Sequence, residues 1–546
     1  SLEVPSDAEV LVFSFVGMET QEVEVGAQTT FNITMNTSTI GLEEVIAVGY
    51  GTQKKANLTG SVATATAERL EARPIQSVGQ GLQGVIPNLN ITFDTGDPSD
   101  NPNFNVRGYE SINGGDPLIL VDGVPMNPDN LNPNDVKSVT VLKDAAAGAI
   151  YGARAAFGVI LVETKSGRTG DIQVSLSTEQ MVDIPIALID PIDDPLLAAQ
   201  GWNTAYNRTF GNPRYDDAWM EGFQRYKDNP TPENQYEVYE GVLRNYAYID
   251  YKDMTIADYI PQQKYDMQVS GGTENANFYV SFGYLNKSGW EKPKDYDTEY
   301  TRYNVLMKTN FKINDWLSLD EQITWNSEYN DEPHFYNWDV NINSIARREP
   351  HAMVSFPDLD YYLEPGDRED FLPYIGQYFG SLNYLPYLED GGRDTDTRQD
   401  LFLKQGITLT PFKDFMVRGD FSYSTYHRER QDVASKIEVL GGADLTNMYF
   451  ENGFSGNDWI RNRSWYNQDY VLNVYGEYTY DELEEHYIKG MVGFNQEWER
   501  NRYVYARSYE LITPQITDLN ATVGTQQADG AQSHVTLRGV FYRLNY

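Results

Sequence analysis

The 546-residue sequence predicts a mainly β protein whose largest part is an antiparallel β-barrel that spans a membrane. The chain contains 40 tyrosines and 44 glycines, which fits many short strands joined by turns better than layers of helices. Its mean hydropathy is −0.54, and no stretch approaches the roughly 18 consecutive apolar residues of a spanning helix. Strands that face lipid on one side only need no such stretch, so a barrel is compatible with the low hydropathy.

Period-two alternation of apolar and polar residues begins near residue 171 and recurs to the end of the chain. In "NFYVSFGYL", Phe278, Val280 and Phe282 share one face, whereas Asn277 and Ser281 lie on the other. The segments "DFMVRGDFSYSTY" and "YVLNVYGEYTY" repeat the pattern. A soluble β-sandwich also alternates, so this observation alone does not separate the two folds.

The lengths of the links between the alternating segments favour the barrel. Short links at "GGTENA", "KINDW", "TPFKD" and "YDELEEH" alternate with long links at about 181–263, 289–299, 330–398, 429–464 and 501–533. Outer-membrane barrels have short periplasmic turns and long external loops. From a first strand near 172–180, about ten strands follow before the sequence stops inside a strand at "GVFYRLNY". Because an unpaired strand edge is not tolerated in lipid, we expect a partial chain.

Charge and composition argue against several functions. The net charge of −38 would repel a polyanion, which argues against nucleic acid as a partner. Cysteine is absent, which excludes disulfides and thiolate metal sites. The five histidines have no paired spacing; they are His334, His351, His427, His486 and His534. The sequence therefore predicts no catalytic residues and no metal site.

The first third of the chain has a different organisation. Residues 1–36 read as strands that end a small β-domain, and residues 37–51 follow as a connecting segment. Residues 52–168 form a glycine-rich α+β region with strands in "PLILVDGVP" and "VKSVTVLK". A small-residue helix is predicted in "DAAAGAIYGARAAFG", with Asp144 as its N-cap. Residues 169–546 form the predicted barrel part.

Several long motifs between Gly41 and Gly167 resemble the plug of the SusC-like TonB-dependent transporters, the SusC/RagA family of Bacteroidetes. They are "LEEVIAVGYGTQKKANLTGSVAT", "GLQGVIPNLNI", "NFNVRGYESINGGDPLILVDGVP" and "LNPNDVKSVTVLKDAAAGAIYGARAAFGVILVETKSG". The resemblance implies that residues 1–36 end a carboxypeptidase-regulatory-like β-sandwich and that residues 52–168 are a plug inside a barrel of about 22 strands. About ten of those strands are present here.

The segment "EEVIAVGYG" resembles a TonB box, which must add as a β-strand to the edge of a partner. The residues concerned are Glu43, Glu44, Val45, Ile46, Ala47, Val48 and Gly49. Val45, Ile46 and Val48 supply strand propensity, and the glycines supply a hinge. The alternative is an interdomain linker that contains a stray strand.

The plug contains further candidate residues. Arg107 is a candidate anchor between plug and barrel, since a buried guanidinium can pair with carboxylates such as Glu477 or Asp420; a surface salt bridge is the alternative. The resemblance places Tyr109, Asn113 and Asp116 towards the substrate, although a structural turn would use the same residues.

Two external segments leave alternatives open. The aromatic stretch at 371–390 would stack on carbohydrate, contact a lid protein, or form an interface girdle. The acidic stretch at 390–400 does not have the EF-hand spacing of a calcium loop and fits a solvated loop better.

The resemblance implies TonB-dependent import of oligosaccharides or oligopeptides across the bacterial outer membrane. The implied partners are a SusD-like surface lipoprotein that acts as a lid, the TonB–ExbB–ExbD complex, and a second copy of the transporter–lid pair. No cofactor is required, and calcium would be confined to an accompanying lid or loop. The alternatives are a surface enzyme, for which no carboxylate pair is placed at a cleft, and a ligand-binding receptor for signalling or adhesion without transport.

Overall fold

The structure of the protein is a computed structural model. It describes residues 10–13, 21–24, 33, 45–47, 52–54, 61–71, 73–93, 102–108, 115–185, 190–292, 298–334, 348–358, 369–380, 383, 385–446, 448–452, 457–483, 486–513 and 515–545.

The chain divides into two compact units, which are described separately. The first unit contains residues 1–92, 102–129 and 136–164, and the second contains residues 93–101, 130–135 and 165–546. The chain therefore enters the second unit at 93–101 and again at 130–135, and it remains there from Lys165 onward.

Two short antiparallel ladders precede the main sheet of the first unit. The strands β1 (Val10–Phe13) and β2 (Gln21–Glu24) pair with each other. The strands β3 (Val45–Ala47) and β4 (Thr52–Lys54) form the second ladder. The strands predicted in residues 1–36 are confirmed for β1 and β2, and the remainder of that prediction lies outside the described residues.

The first unit is built on a five-stranded sheet in the order β5-β10-β11-β8-β9 and a separate two-stranded ladder, β6-β7. The central strands are rich in β-branched residues, and β11 is almost completely buried, as expected for strands covered on both faces. The sheet confirms the strands predicted in "PLILVDGVP" and "VKSVTVLK". The strands are β5 (Val62–Thr66), β6 (Leu89–Thr92), β7 (Asn103–Val106), β8 (Leu118–Val121), β9 (Val124–Pro125), β10 (Val136–Leu142) and β11 (Val159–Thr164).

The helices of this unit are short. They are α1 (Ala67–Glu71), α2 (Val78–Leu82) and α3 (Ala145–Gly148). Asp144 caps α3 as predicted, because its side chain accepts a hydrogen bond from the Ala147 N–H at 2.8 Å. The predicted length of this helix is wrong: a 3₁₀ segment follows, and Gly152 interrupts it with φ +61° and ψ −141°.

The second unit contains one ten-stranded sheet in which every neighbouring pair is antiparallel, in the order β12-β15-β16-β17-β18-β19-β20-β23-β24-β25. This is the predicted number of strands, and the first begins close to its predicted position. The hairpins β13-β14 and β21-β22 lie in long links. The strands are β12 (Gly170–Asp183), β13 (Tyr236–Tyr239), β14 (Val242–Asn245), β15 (Ile260–Gly272), β16 (Ala276–Ser288), β17 (Glu299–Asn314), β18 (Leu317–Pro333), β19 (Arg393–Phe412), β20 (Phe415–Ala434), β21 (Glu438–Leu440), β22 (Phe450–Asn452), β23 (Trp459–Leu483), β24 (His486–Tyr509) and β25 (Gln526–Asn545).

The predicted alternation of short and long links is confirmed. After β12, the long links span residues 184–259, 289–298, 334–392, 435–458 and 510–525. The short links between them span residues 273–275, 315–316, 413–414 and 484–485. The strands extend further into the long links than the sequence predicts, so that β23 reaches 25 residues.

The two faces of the large sheet have opposite character. The apolar face is the exposed one: Phe282 and Phe421 are 41% and 48% exposed. The polar face is buried, with Ser281 and Ser422 at 2% and 3%. A soluble sandwich would bury the apolar face, so this arrangement supports strands that face lipid outward.

The longest links fold into structure of their own. The helices there are α4 (Pro195–Phe210), α5 (Asp217–Asp228), α6 (Pro232–Gln235), α7 (Tyr251–Thr255) and α8 (Leu385–Asp390). Aromatic residues of α5 and the β14 region pack into one of several small apolar cores. None of the helices within the described ranges is long and apolar enough to cross a membrane.

The aromatic stretch at 371–390 contributes to these cores. Leu385, Tyr387 and Leu388 are buried in one of them, and Phe379 in another. Many of its described apolar side chains therefore pack inside the loop structure. Whether the rest of the stretch contacts carbohydrate or a lid protein, or forms a girdle, stays a prediction.

Candidate functional site

The predicted TonB-box segment is partly described. Val45, Ile46 and Ala47 form β3, which pairs with β4 so that Val45 lies opposite Lys54. Glu43, Glu44, Val48 and Gly49 lie outside the described residues. Residues 45–47 adopt the extended conformation that strand addition to a partner requires, and the role of the segment as a TonB box stays a prediction.

The predicted substrate-facing residues are described only in part. Asp116 is exposed, shortly before β8. Tyr109 and Asn113 lie outside the described residues. Their contact with a substrate stays a prediction.

Arg107 follows β7 at a sharp change of chain direction. Its φ is +71°, and its N–H donates to the carbonyl oxygen of Asn88 at 2.9 Å. Its exposed side chain and the 92%-buried Lys143 line one cavity of about 280 Å³ within the first unit. Burial, reinforced by the Arg107 charge, lowers the pKa of Lys143. Asp144 also lines this cavity, so its carboxylate offsets part of the charge of the two cations.

Asp420 and Glu477, the two carboxylates considered as partners of Arg107 from the sequence, have cationic partners in the second unit. Asp420 lies 2.7 Å from the Arg418 guanidinium, and Glu477 lies 2.6 Å from Lys489 Nζ. The role of Arg107 as an anchor stays a prediction.

The second unit contains a site that the sequence did not locate. Residues 130–135, here named the sheet-bound segment, are hydrogen-bonded to the polar face of the large sheet. Asn132 and Asn134 donate from their side-chain amides to the two oxygens of Asp266, at 2.5 Å and 2.7 Å. Asn304 Nδ2 donates to the carbonyl oxygen of Asn130 at 2.8 Å. Polar contacts thus hold the segment on β15 and β17, and Asp135 at its end adds contacts to β16.

Asp135 ends the sheet-bound segment and is almost completely buried. Tyr279 and Ser281 of β16 donate their hydroxyl hydrogens to its two carboxylate oxygens, at 2.8 Å and 2.7 Å. Burial raises the pKa of Asp135 to about 6, because these two hydrogen bonds compensate only part of the lost hydration, and the negative charge of Asp266 adds to the rise. The segment therefore contains a carboxyl group that can change its protonation state slightly below neutral pH.

A glycine makes room for the segment on β16. A Cβ atom placed on Gly283 would lie 2.6 Å from Asn132 Nδ2, well inside van der Waals contact. One sequence signal for such polar contacts is the density of Asn, Asp, Gly and Pro between Asp94 and Asn134, although composition does not indicate the partners.

Ion pairs cover the polar face near the long links of β19, β20 and β23. Asp432 accepts hydrogen bonds from three guanidinium groups, those of Arg430, Arg461 and Arg463, at 2.6 to 3.0 Å. Asp432 is 1% exposed, so each bond is protected from water. Within the described ranges, no three His, Asp or Glu side chains come together as they would around a metal ion.

Comparisons with known proteins agree with this architecture. The family model of the TonB-dependent receptor plug domain matches residues 54–159. The TonB-dependent receptor P26 of Formosa agariphila is 26% identical over 99% of this chain and 50% of its own length. The TonB-dependent receptor SusC of Bacteroides thetaiotaomicron is 36% identical over 30% of this chain and 17% of its own length.

The fold is also similar to that of solved structures. The RagAB peptide importer in its open-open state superposes with a TM-score of 0.71 at 19% identity, covering 92% of this chain and 54% of that chain. The chain spans about half the length of the curated relatives that it matches from end to end.

The match to the plug domain and the similarity to curated TonB-dependent receptors support a TonB-dependent receptor as the class of this protein. More narrowly, the comparisons support a SusC-like receptor, since the chain is similar in sequence to SusC of Bacteroides thetaiotaomicron. The predicted fold class, mainly β with an antiparallel barrel sheet and an α+β plug, is confirmed.

Proposed function

We propose that the whole protein imports oligosaccharides or oligopeptides across the bacterial outer membrane, driven by TonB. The observation that carries the proposal is the combination, in one chain, of a plug domain and a barrel sheet whose fold is similar to that of a peptide importer. The exposed apolar face of the sheet is consistent with an outer-membrane location.

TonB would bind the segment around β3 and pull it. Strand addition transmits force through backbone hydrogen bonds, so the partner needs an extended segment more than particular side chains. The first unit must then rearrange, and the polar Asn- and Asp-rich contacts around residues 130–135 would exchange for water at low net cost. No step of this cycle is a chemical reaction, and we propose neither an enzymatic activity nor a required cofactor.

The family resemblance supports further partners. We propose a SusD-like surface lipoprotein as a lid over the long-link side of the sheet, in a dimer of transporter–lid pairs. The folded links, with α4 and α5, offer a stable surface for such a protein. Any calcium would belong to the lid or to a loop.

Uptake by cells tests the proposal. Cells that express the full-length protein are given defined pools of oligosaccharides and oligopeptides, beside a variant that lacks residues Glu43 to Gly51. We expect uptake of one pool by the parent protein, loss of that uptake in the deletion variant, and retained surface binding.

The other outcomes are equally informative. Unchanged uptake in the deletion variant would contradict the TonB-box assignment. Binding without uptake by the parent protein would contradict import and favour a receptor for signalling or adhesion.

A further inference from the structure

Arginine lies directly opposite arginine at three adjacent places on the polar face of the large sheet. Like charges in directly opposed positions destabilise a pair of strands unless an opposite charge lies between them. The chain as a whole is strongly acidic, so this concentration of cations requires a specific reason. The three pairs are Arg398 with Arg428, Arg430 with Arg463, and Arg461 with Arg507.

The first two pairs are neutralised within the protein. Asp396 accepts hydrogen bonds from Arg398 and Arg428, with the nearest Arg398 nitrogen at 3.0 Å. Asp432 lies beside Arg430 and Arg463 and accepts from both. These arginines therefore have a structural role that needs no ligand.

In the third pair, Arg461 and Arg507 differ in their partners. Arg461 donates from Nε to Asp432 at 3.0 Å. Among the described residues, Arg507 has no carboxylate within ion-pair distance, and its buried Nε has no hydrogen-bond partner. Its guanidinium lies 3.9 Å from the ring centroid of Trp459 and 4.6 Å from that of Tyr509, so aromatic rings hold it in place without neutralising it.

The surroundings of Arg507 are aromatic as well as cationic. Trp459 is partly exposed and also lies 5.2 Å from the Arg461 guanidinium. Further along the same face, Trp465 packs on Tyr503 with ring centroids 5.1 Å apart. Indole faces carry negative quadrupole potential, which attracts the slightly positive C–H bonds of a sugar ring. A guanidinium beside such rings suits a ligand that combines an anion with a saccharide ring.

The acidic character of the whole chain makes such a site selective. A net charge of −38 repels anions at long range, so an anionic ligand is held only where cations are concentrated. Arg507 offers free donors in the fork geometry that carboxylate and sulfate groups match.

We propose that Arg507, Arg461 and Trp459 form a binding site for the anionic group of an acidic oligosaccharide. The inference rests on the proposed import function and names its substrate class: a saccharide that carries carboxylate or sulfate groups. The site lies where β23 and β24 meet their long links, which is the end at which a captured substrate would first reach the polar face.

Equilibrium binding to the full-length protein, purified in detergent, tests this site. The probes are tetragalacturonate, a sulfated carrageenan tetrasaccharide, neutral maltotetraose and tetraglutamate. The variant Arg507→Gln is compared with Arg502→Gln, which removes the same charge from the opposite, exposed face of β24. We expect the parent protein and R502Q to bind at least one anionic saccharide equally, and R507Q to bind it about tenfold or more weakly. The probe that binds distinguishes carboxylate from sulfate.

Several results would overturn the proposal. They are equal affinity in R507Q and R502Q, no binding of either anionic saccharide by the parent protein, or tighter binding of tetraglutamate than of both. If R507Q does not fold, the salt dependence decides: the affinity of the parent protein for the anionic saccharide must fall with added salt, and a constant affinity contradicts the site. TonB-dependent uptake of a neutral sugar or a peptide would leave the import function intact while this site fails.

Discussion

Asp135 is buried between the hydroxyl groups of Tyr279 and Ser281, and its raised pKa makes the sheet-bound segment sensitive to pH. The pKa is about 6 in the bound state against 3.8 for a free carboxyl group. The bound state therefore takes up a proton more readily than the released state. The stabilising effect is complete below about pH 4 and is lost as the pH rises through 6.

We expect Asp135→Asn to remove this pH dependence, because an amide stays neutral. In the parent protein, the segment should be more strongly bound at pH 5 than at pH 8. Between the limits of low and high pH, the free energy of binding the segment should change by about 3 kcal/mol. Hydrogen exchange at the Asp135 amide, which donates to the Asn132 carbonyl oxygen, measures this after correction for intrinsic exchange rates. An equal pH trend in parent and variant would contradict the assignment, and Asp135→Ala should lower protection at both pH values.

At the scale of elements, the folded long links depend on buried aromatic residues. His351 packs edge-on against Tyr215, Trp219 and Phe223, with ring centroids 4.9 to 5.4 Å apart. Burial lowers the pKa of His351 to about 4, and the nearby Arg214 charge contributes. The imidazole is thus neutral at pH 7, and the stability that it supports is lost as the pH falls from 6.5 towards 4.

We expect His351→Phe to make this loop core insensitive to acid. Phenylalanine retains the aromatic packing and cannot be protonated, so protection of the α5 amides from hydrogen exchange should be the same at pH 5 and pH 7. The parent protein should lose protection at pH 5, by up to about 2 kcal/mol. His427→Gln serves as the control, because His427 is exposed on a strand and should leave the acid response of α5 unchanged.

The sheet strands were predictable because period-two alternation and turn signals are local. The first strand, predicted near 172–180, spans Gly170–Asp183 in the structure. The burial of Leu385 and Tyr387 in the aromatic stretch at 371–390 was not predictable, because tyrosine and leucine content does not distinguish an exposed surface from a small core, which only tertiary contacts define. The sheet-bound segment could not be located for the same reason, since Asn132 and Asp266 are 134 residues apart in sequence.

At the scale of the whole molecule, the sheet-bound segment divides the chain that TonB would pull. Residues 102–129 and 136–164 belong to the first unit, but the segment between them belongs to the second. A force applied near β3 therefore reaches the hydrogen bonds to Asp266 before it reaches the residues beyond. We expect extraction to pause at Asn130.

The double variant Asn132→Ala with Asn134→Ala should remove this pause. It deletes two hydrogen bonds to a buried carboxylate, each worth about 1.5–3 kcal/mol. In single-molecule pulling from the N-terminal side, the first extension should lengthen by about 120 Å, because residues 130–164 add up to about 3.5 Å each. Asn310→Ala is the matched control, because it removes a hydrogen bond from the Asn310 side-chain amide to Asn277 elsewhere in the sheet. Equal first extensions in the double variant and the control would contradict the role of the segment.

The alternating link lengths give the sheet two rims that differ in their tolerance of engineering. Where only residues 315–316 or 413–414 join two strands, an inserted tag would alter the turn that sets the strand register. In the longer link at 510–525 the same insertion adds little closure entropy. Reporter tags therefore belong on the long-link rim, where a probe that cannot cross the membrane would read which way the protein is oriented in the cell.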